Sequence, residues 1–133
     1  PKAKGWKVQV AQIVGEVWGD QPLLDGPVVV EMTFVRQRPK GHYGTGRNEG
    51  VLKDWARAEF PTTKPDTLKL ARGVEDALTG VVWRDDAQIV DEVLRKRYGS
   101  PERVELRVAV ADPAAALGSV VLVEDVDGQM ALA

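Results

Sequence analysis

The order of apolar and polar residues changes period along the chain, and each period predicts a different element. Near the N-terminus, five apolar residues recur at spacings of four, three, one and three, which predicts a helix with one apolar stripe. A Val-rich run at residues 28–36 predicts a strand that ends at basic side chains. The N-terminal stripe consists of Trp6, Val10, Ile13, Val14 and Val17.

A second helix is predicted over residues 67–78, because its apolar residues recur with the helical period and Gly80 follows as a C-terminal cap. Leu68 departs from this pattern. It lies on the polar face, one turn before Arg72 and two turns before Glu75. Burial does not explain an apolar residue at that position. The apolar face consists of Leu70, Val74, Ala77 and Leu78.

Two further strands are predicted at residues 87–98 and 103–110, joined by the turn Gly-Ser-Pro-Glu. The Gly-rich segment at residues 41–63 is predicted to be a long loop with one short helical turn, and loops of that length in compact domains are usually functional or disordered. Residues 111–133 form an acidic, Ala-rich tail, which we expect to be either mobile or an edge strand.

The length of 133 residues suits one domain with a hydrophobic core, and the chain has no cysteine for disulfides or thiolate metal sites. The sequence contains no apolar run that could span a bilayer and no signal-peptide pattern. We therefore expect a soluble, cytoplasmic domain at residues 1–110, followed by the tail. The chain begins at Pro1 without an initiator Met, so we expect an N-terminal segment to be missing.

The formal net charge of −2 disfavours nucleic-acid binding, but it is an average over an uneven distribution. The tail carries four acidic residues and no basic ones, so residues 1–110 hold all 18 basic side chains against 16 acidic ones. The basic residues cluster at residues 36–47 and 95–97. Solvated surface is the simpler interpretation of both clusters unless a catalytic site lies nearby.

The segment "KPDTLKLARGVEDALTG" at residues 64–80, followed by "WRDDAQIV" at 83–90, resembles the signature of the RusA-like Holliday junction resolvases, which are common in phages and prophages. That signature reads approximately Pro-Asp-x-Asp-Asn-Leu, a Lys two residues on, Asp-Ala-Leu-x-Gly and then Asp-Asp-x-Gln. Upstream, "VRQRPKGHYGTGR" is similar to the family's basic loop. The likeness covers about residues 4–110, and the family's opening strand would precede Pro1.

The resemblance implies an α/β (α+β) fold, a single small domain in which a mixed β-sheet packs against helices. It also implies a homodimeric endodeoxyribonuclease that uses Mg²⁺, with Mn²⁺ as a substitute, to resolve four-way DNA junctions by paired symmetric nicks. Mg²⁺ prefers hard oxygen ligands, activates a water nucleophile and neutralises charge on the phosphate. A two-fold dimer suits a junction because it supplies two equivalent sites.

Matched residue by residue, the motif assigns metal ligands to Asp66 and Asp86, with Asp85 adjacent. Asp76 matches the motif's helical Asp, which holds the helix or contacts the site. Arg72 stands where the family has a Lys that stabilises charge on the phosphate, and Arg keeps that positive charge. These five side chains are the candidate catalytic residues.

Leu68 stands where the family usually has its second Asp, and Lys69 where it has Asn. The Leu removes an oxygen ligand, and three interpretations remain open. The site binds metal with fewer protein ligands and more waters, or it recruits Glu75 as a replacement ligand, or it has lost its chemistry. We favour the first two, since the other acidic and basic residues are in place. The third leaves a catalytically impaired module that binds junction DNA.

The same residues have simpler roles if the resemblance is set aside. Asp66 is then a helix N-cap, Asp85 and Asp86 are turn residues, and Asp76 is a solvated partner of Arg72. Core or interface anchoring is expected for the tryptophans, with Trp55 the most ambiguous of them. The other three are Trp6, Trp18 and Trp83.

The candidates for DNA contact are mainly the basic residues of the upstream loop and those around the start of the second helix. The single His, at position 42, is expected to be a loop residue near DNA and not a general base. The candidates are Arg36, Arg38, Lys40, His42, Arg47, Lys64 and Lys69.

Overall fold

The structure is a computed structural model that describes residues 2–111 and 119–124. A mixed sheet lies at the centre of this region. One strand, β1, pairs in parallel with β2 and antiparallel with β3, and β4 pairs antiparallel with β3. The order across the sheet is therefore β2-β1-β3-β4. The strands are Val28–Arg36 (β1), Ile89–Tyr98 (β2), Arg103–Val110 (β3) and Ser119–Glu124 (β4).

One face of the sheet is covered by the helices Lys2–Trp18 (α1) and Thr67–Leu78 (α2), whose apolar residues join those of β1 and β3 in one core cluster. Both predicted helices are present, and α2 has the predicted bounds. The prediction for Val17 is wrong, because this side chain is 59% exposed. Trp18 packs against the core in its place, since a spacing of four keeps to one helical face. The core face of α1 consists of Trp6, Val10 and Val14, with the partly buried Ala11, Ile13 and Trp18 packed against the same core.

The α+β fold class expected from the resemblance is confirmed, but the turn between β2 and β3 does not join neighbouring strands. β1 lies between them, so the chain crosses the end of β1. The Gly99 N–H donates to the Arg36 carbonyl at 2.9 Å, and a Cβ at Gly99 would meet Val35 Cγ1 at 2.7 Å. β1 takes the inner position because it is the more apolar strand, whereas the charged side chains of β2 suit a sheet edge.

The segment between β1 and α2 is a long loop, as predicted, and it contains three short 3₁₀ turns. The predicted helical turn corresponds to the third of them. Residues Tyr43 and Leu52 form an isolated bridge that folds the loop back on itself. The three turns are Lys40–His42, Gly46–Asn48 and Asp54–Ala58.

Gly80 follows α2 with a positive φ of 85°, the left-handed conformation in which glycine ends helices. β4 forms an edge of the sheet within the predicted tail, and residues 112–118 and 125–133 lie outside the described residues. Among the helices that the structure describes, none has the length and apolar character needed to cross a membrane.

Candidate active site

Asp66 is the N-cap of α2. Its backbone is extended, with φ −75° and ψ 164°, and its Oδ1 accepts a hydrogen bond from the Lys69 N–H at 2.8 Å. This is the capping geometry that satisfies a free N–H at a helix start. The residue is exposed. Because the cap uses one carboxylate oxygen, capping is compatible with binding of a metal by the other.

The C-terminal end of β2 holds the segment that leads into α2. Lys96 Nζ donates to the carbonyl oxygens of Thr63, at 2.7 Å, and Pro65, at 3.0 Å. Burial lowers the pKa of Lys96, the nearby Arg36 charge lowers it further, and the Asp66 carboxylate opposes both effects. The sequence did not single out Lys96, yet its ammonium group fixes the backbone immediately before the first motif carboxylate.

Asp85 and Asp86 lie in a turn that leads into β2. Asp85 Oδ1 accepts from the Ala87 N–H at 2.9 Å, and Gln88 Oε1 accepts from the Asp85 N–H at 2.9 Å, which together form a capping box. Gln88 Nε2 also donates to the Leu24 carbonyl at 3.0 Å. The Asp-Asp-x-Gln motif therefore builds a rigid turn, and both of its carboxylates are exposed.

Asp66 and Asp86 lie at opposite ends of α2 within one chain. The helix has 12 residues and rises roughly 18 Å. Trp83, shortly before Asp86 in the chain, lies at the C-terminal end of α2, where its indole Nε1 donates to Thr79 Oγ1 at 3.1 Å. β2 then runs back along α2, so that Lys96, near the far end of this strand, is the residue that reaches Pro65.

No metal centre is assembled by one chain in the described region. Among residues 2–111 and 119–124, no group of three or more His, Cys, Asp or Glu side chains could hold a metal ion. The chain therefore presents the predicted ligands Asp66, Asp85 and Asp86 in two separate places.

Leu68 is 72% exposed, which confirms that it lies on the polar face of α2. It lines a shallow depression together with Lys69, Arg72, Glu75 and, from β2, Glu92. Glu75, the predicted replacement ligand, lines the same depression two helical turns after Leu68. The side chains that surround Leu68 are mostly charged.

Glu92 is a carboxylate that the sequence did not reveal. Burial raises the pKa of Glu92 to about 7, and the hydrogen bond and charge of Glu75 raise it in the same direction. The register between β1 and β2 shifts between Val28 and Val29, and Val29 pairs with Asp91. This bulge changes which residues face α2, so simple alternation from the start of β2 does not place Glu92 there.

Several of the predicted DNA contacts are engaged within the protein. Arg36 Nε bonds Glu102 Oε1 at 2.9 Å, and the two side chains are only 12% and 13% exposed. Arg38 Nη1 donates to the Ala56 carbonyl and lies 3.3 Å from Nδ1 of His42, which is buried. Arg38 and His42 organise the loop, whereas Arg36 joins the end of β1 to the turn before β3. The exposed candidates are Lys40, Arg47, Lys64 and Lys69.

Asp76 and Arg72 also have distinct positions. Asp76 Oδ2 forms an ion pair with Lys7 Nζ at 3.3 Å, which links α2 to α1. The simpler interpretation of Asp76 as a partner of Arg72 is therefore replaced by a helix–helix contact. Arg72 is exposed and lines the same depression as Leu68.

Exposed carboxylates and basic side chains around one helix are the groups that a metal-assisted phosphodiester hydrolase requires. Comparison with known proteins specifies this class. The family model described as Endodeoxyribonuclease RusA matches residues 1–109. The chain belongs to this family, whose members are Holliday junction-resolving endonucleases, so the family assigned from the signature is confirmed.

A relative extends the comparison. The chain is 33% identical over 108 residues to "Uncharacterized protein YqaN" of Bacillus subtilis (strain 168), and the match covers 80% of this chain and 73% of that protein. No solved structure matches the chain.

Proposed function

We propose that the protein is a Mg²⁺-dependent endonuclease that resolves four-way DNA junctions in the cytoplasm by two symmetric nicks. The observation that carries this proposal is the placement of Asp66 and Asp86. Both carboxylates are exposed, Asp66 caps α2, Asp86 begins an ordered turn, and the resemblance to the family signature assigns both as metal ligands. Ordered backbone at both positions is suited to catalysis because little reorganisation of the chain accompanies binding.

A homodimer supplies what one chain lacks. Because Asp66 and Asp86 lie at opposite ends of α2, one chain does not bring them together. A two-fold partner that places its own Asp86 beside Asp66 completes one site, and symmetry completes the other. The dimer therefore serves metal binding as well as the pairing of the two nicks.

The donor set fits Mg²⁺, since all of the proposed ligands are carboxylates. Bound by Asp66, Asp85 and Asp86, the ion would act as a Lewis acid and lower the pKa of a water nucleophile. Arg72 neutralises charge on the phosphate, and the exposed Lys64 and Lys69 bind the flanking DNA backbone.

Glu75 is the chain's own substitute for the carboxylate missing at Leu68. Glu75 on α2 and Glu92 on β2 are neighbours, and the hydrogen bond and charge of Glu75 contribute to the raised pKa of Glu92. Glu75 therefore presents a carboxylate in the depression that Leu68 also lines. Mn²⁺ is expected to replace Mg²⁺ because it accepts the same oxygen ligands.

The experiment is cleavage of a synthetic four-way junction by the wild-type chain with Mg²⁺ or Mn²⁺. We expect paired nicks that need the metal, and their loss in Asp86→Asn with junction binding retained. Asp91→Asn, an exposed Asp on β2 outside the motif, is the matched control and should nick normally. Equal nicking by Asp86→Asn and the wild type would show that the metal assignment is wrong.

Mixing two inactive variants tests the shared site. A heterodimer of Asp66→Asn and Asp86→Asn chains has one intact composite site if the ligands come from different chains, so single nicks should return. If both ligands come from the same chain, every site in the mixture carries a defect and nicking stays absent.

A second candidate function rests on Leu68, which is an exposed apolar residue where the motif has a carboxylate. In this case the protein binds branched DNA without cutting it. Junction binding with no nicking in either metal, in wild type and Asp86→Asn alike, would favour this binding module over the nuclease.

A further inference from the structure

Two exposed aromatic rings in the loop between β1 and α2 have no part in the catalytic proposal. Trp55 is 57% exposed and Phe60 is 56% exposed, whereas Trp6 and Trp83 are buried in the core. Burial of a large ring is favourable, and an indole left in water at the surface of a folded domain is commonly a contact site.

Trp55 is held in place from beneath by a packed cluster. The buried His42 ring contacts Trp55 edge-on, with centroids 5.2 Å apart, and contacts Tyr98 in the same manner at 5.1 Å. Arg38 lies 5.1 Å over the Tyr98 ring and donates to the carbonyl of Ala56, the residue after Trp55. A ring that is already fixed loses little conformational entropy on binding.

Positive charge accompanies both rings. Lys53 Nζ lies 6.0 Å from the Trp55 centroid, and the Arg97 guanidinium lies 5.1 Å from that of Phe60. The exposed Asp54 is beside this surface, but it pairs with Arg57 at 3.7 Å. An aromatic ring with a cation next to it matches the two parts of a nucleotide, a base that stacks and a phosphate that carries negative charge.

The aromatic surface and the first motif carboxylate lie at the same end of β2. Tyr98 supports His42 beneath Trp55, and Lys96 holds the Pro65 carbonyl before Asp66. Two residues of a strand span about 7 Å, so the two supports are close neighbours. The supports of Trp55 and of Asp66 therefore lie at one end of the same strand.

We propose that Trp55, with Lys53, forms a stacking site for an unpaired DNA base at the branch point. This inference rests on the proposed function and deepens it, because it names an unstacked nucleotide as the feature that distinguishes a junction from intact duplex. Bases at the point of strand exchange can leave the helical stack more easily than bases within a duplex. Stacking on an aromatic ring accepts any base.

The test compares binding to a four-way junction and to a duplex of equal length by fluorescence anisotropy, in Ca²⁺ to prevent cleavage. Trp55→Ala should weaken junction binding about tenfold and change duplex binding less than twofold. Trp55→Phe retains a ring and should stay close to the wild type. Val17→Ala, in α1 and 59% exposed, is the control for loss of an exposed apolar side chain.

A second measurement uses the wild-type protein and does not depend on the folding of a variant. A junction that carries 2-aminopurine as an unpaired, unstacked base at the branch point should lose fluorescence when the wild type binds, because stacking on the indole quenches the base analogue. The absence of quenching, or an equal loss of duplex and junction affinity in Trp55→Ala, overturns the stacking site. A wild type that binds junction no better than duplex overturns the proposed function as well, so the two failures are distinguishable.

Discussion

The Lys96 ammonium group donates a hydrogen bond to the Pro65 carbonyl oxygen at 3.0 Å, so the end of β2 holds the residue before Asp66. The same nitrogen also binds the Thr63 carbonyl. A side chain on the sheet thus positions a carboxylate on the helix, and Lys96 is a positioning residue in the candidate site.

Replacement of Lys96 by Met should show this role. Met keeps most of the apolar stem but removes both hydrogen bonds, so we expect a loss of about 1–3 kcal/mol in the free energy of unfolding. Nicking should fall more than junction binding, since Asp66 loses its support. Urea denaturation and nicking rates measure the two effects. Lys69→Met, at an exposed lysine on α2, is a control for stability only and should leave it unchanged, and equal losses of stability in the two variants would contradict the positioning role.

The raised pKa of Glu92 predicts that the stability of the protein depends on pH. Its pKa in the folded protein, about 7, lies above the ordinary 4.5, so between these values the unfolded chain loses the proton while the folded chain keeps it. The contribution of Glu92 to the free energy of unfolding is fully present below pH 4.5 and is lost as the pH rises through 7.

Glu92→Gln should remove this dependence. The stability of the variant relative to the wild type should increase from pH 5 to pH 8. At pH 8 the gain in melting temperature should be on the order of 3 °C. Thermal unfolding at several pH values measures it. Glu59→Gln, at an exposed loop carboxylate, is the control, and a constant difference between Glu92→Gln and wild type at every pH would count against the assignment.

Leu68→Asp should restore the motif carboxylate. Because the side chain is 72% exposed, the change in stability should stay within about 0.5 kcal/mol. A further charged ligand should lower the Mg²⁺ concentration for half-maximal nicking about tenfold, which corresponds to about 1.4 kcal/mol. Leu68→Asn supplies a polar side chain without charge and should have a smaller effect. An unchanged metal requirement in Leu68→Asp would show that position 68 does not face the metal.

Gly73→Ala tests the close contact of the two helices. A Cβ at Gly73 would meet Trp6 Cζ3 at 2.8 Å, and both residues are buried. Alanine favours a helix by about 1 kcal/mol over glycine, whereas a buried clash costs about 1–3 kcal/mol. We expect net destabilisation, measured by urea denaturation. A more stable variant would mean that the Trp6 ring moves aside at little cost.

The local elements of this fold could be predicted from the sequence. The bounds of α2 follow from its amphipathic period, and β1 follows from its Val-rich run. The central position of β1 could not be predicted, because strand order depends on which surfaces meet after the chain has crossed over. Glu92 was missed for a related reason, since the bulge that turns it towards α2 depends on the register with β1.

The candidate site shows the same division. The residues Asp66, Asp85 and Asp86 were found through the resemblance to the family signature, and all three are exposed. Their separation along α2 could not be predicted, because it depends on β2 returning antiparallel to the helix. Arg36 was predicted to contact DNA because it lies in a basic cluster. The sequence gives no indication that Glu102, far along the chain, forms an ion pair with this residue.

The parallel pairing of β1 with β2 has a consequence for how the chain folds during synthesis. Val28 pairs with Ile89, so β1 can form its parallel pairing only after β2, which is synthesised much later, has left the ribosome. Long loops between paired segments slow folding, because their closure entropy is lost before the contacts form. Lys96 lies near the end of that late strand, so Asp66 gains its support only after nearly all of the matched region has been made. The nascent protein is therefore expected to lack nuclease activity until β2 has docked.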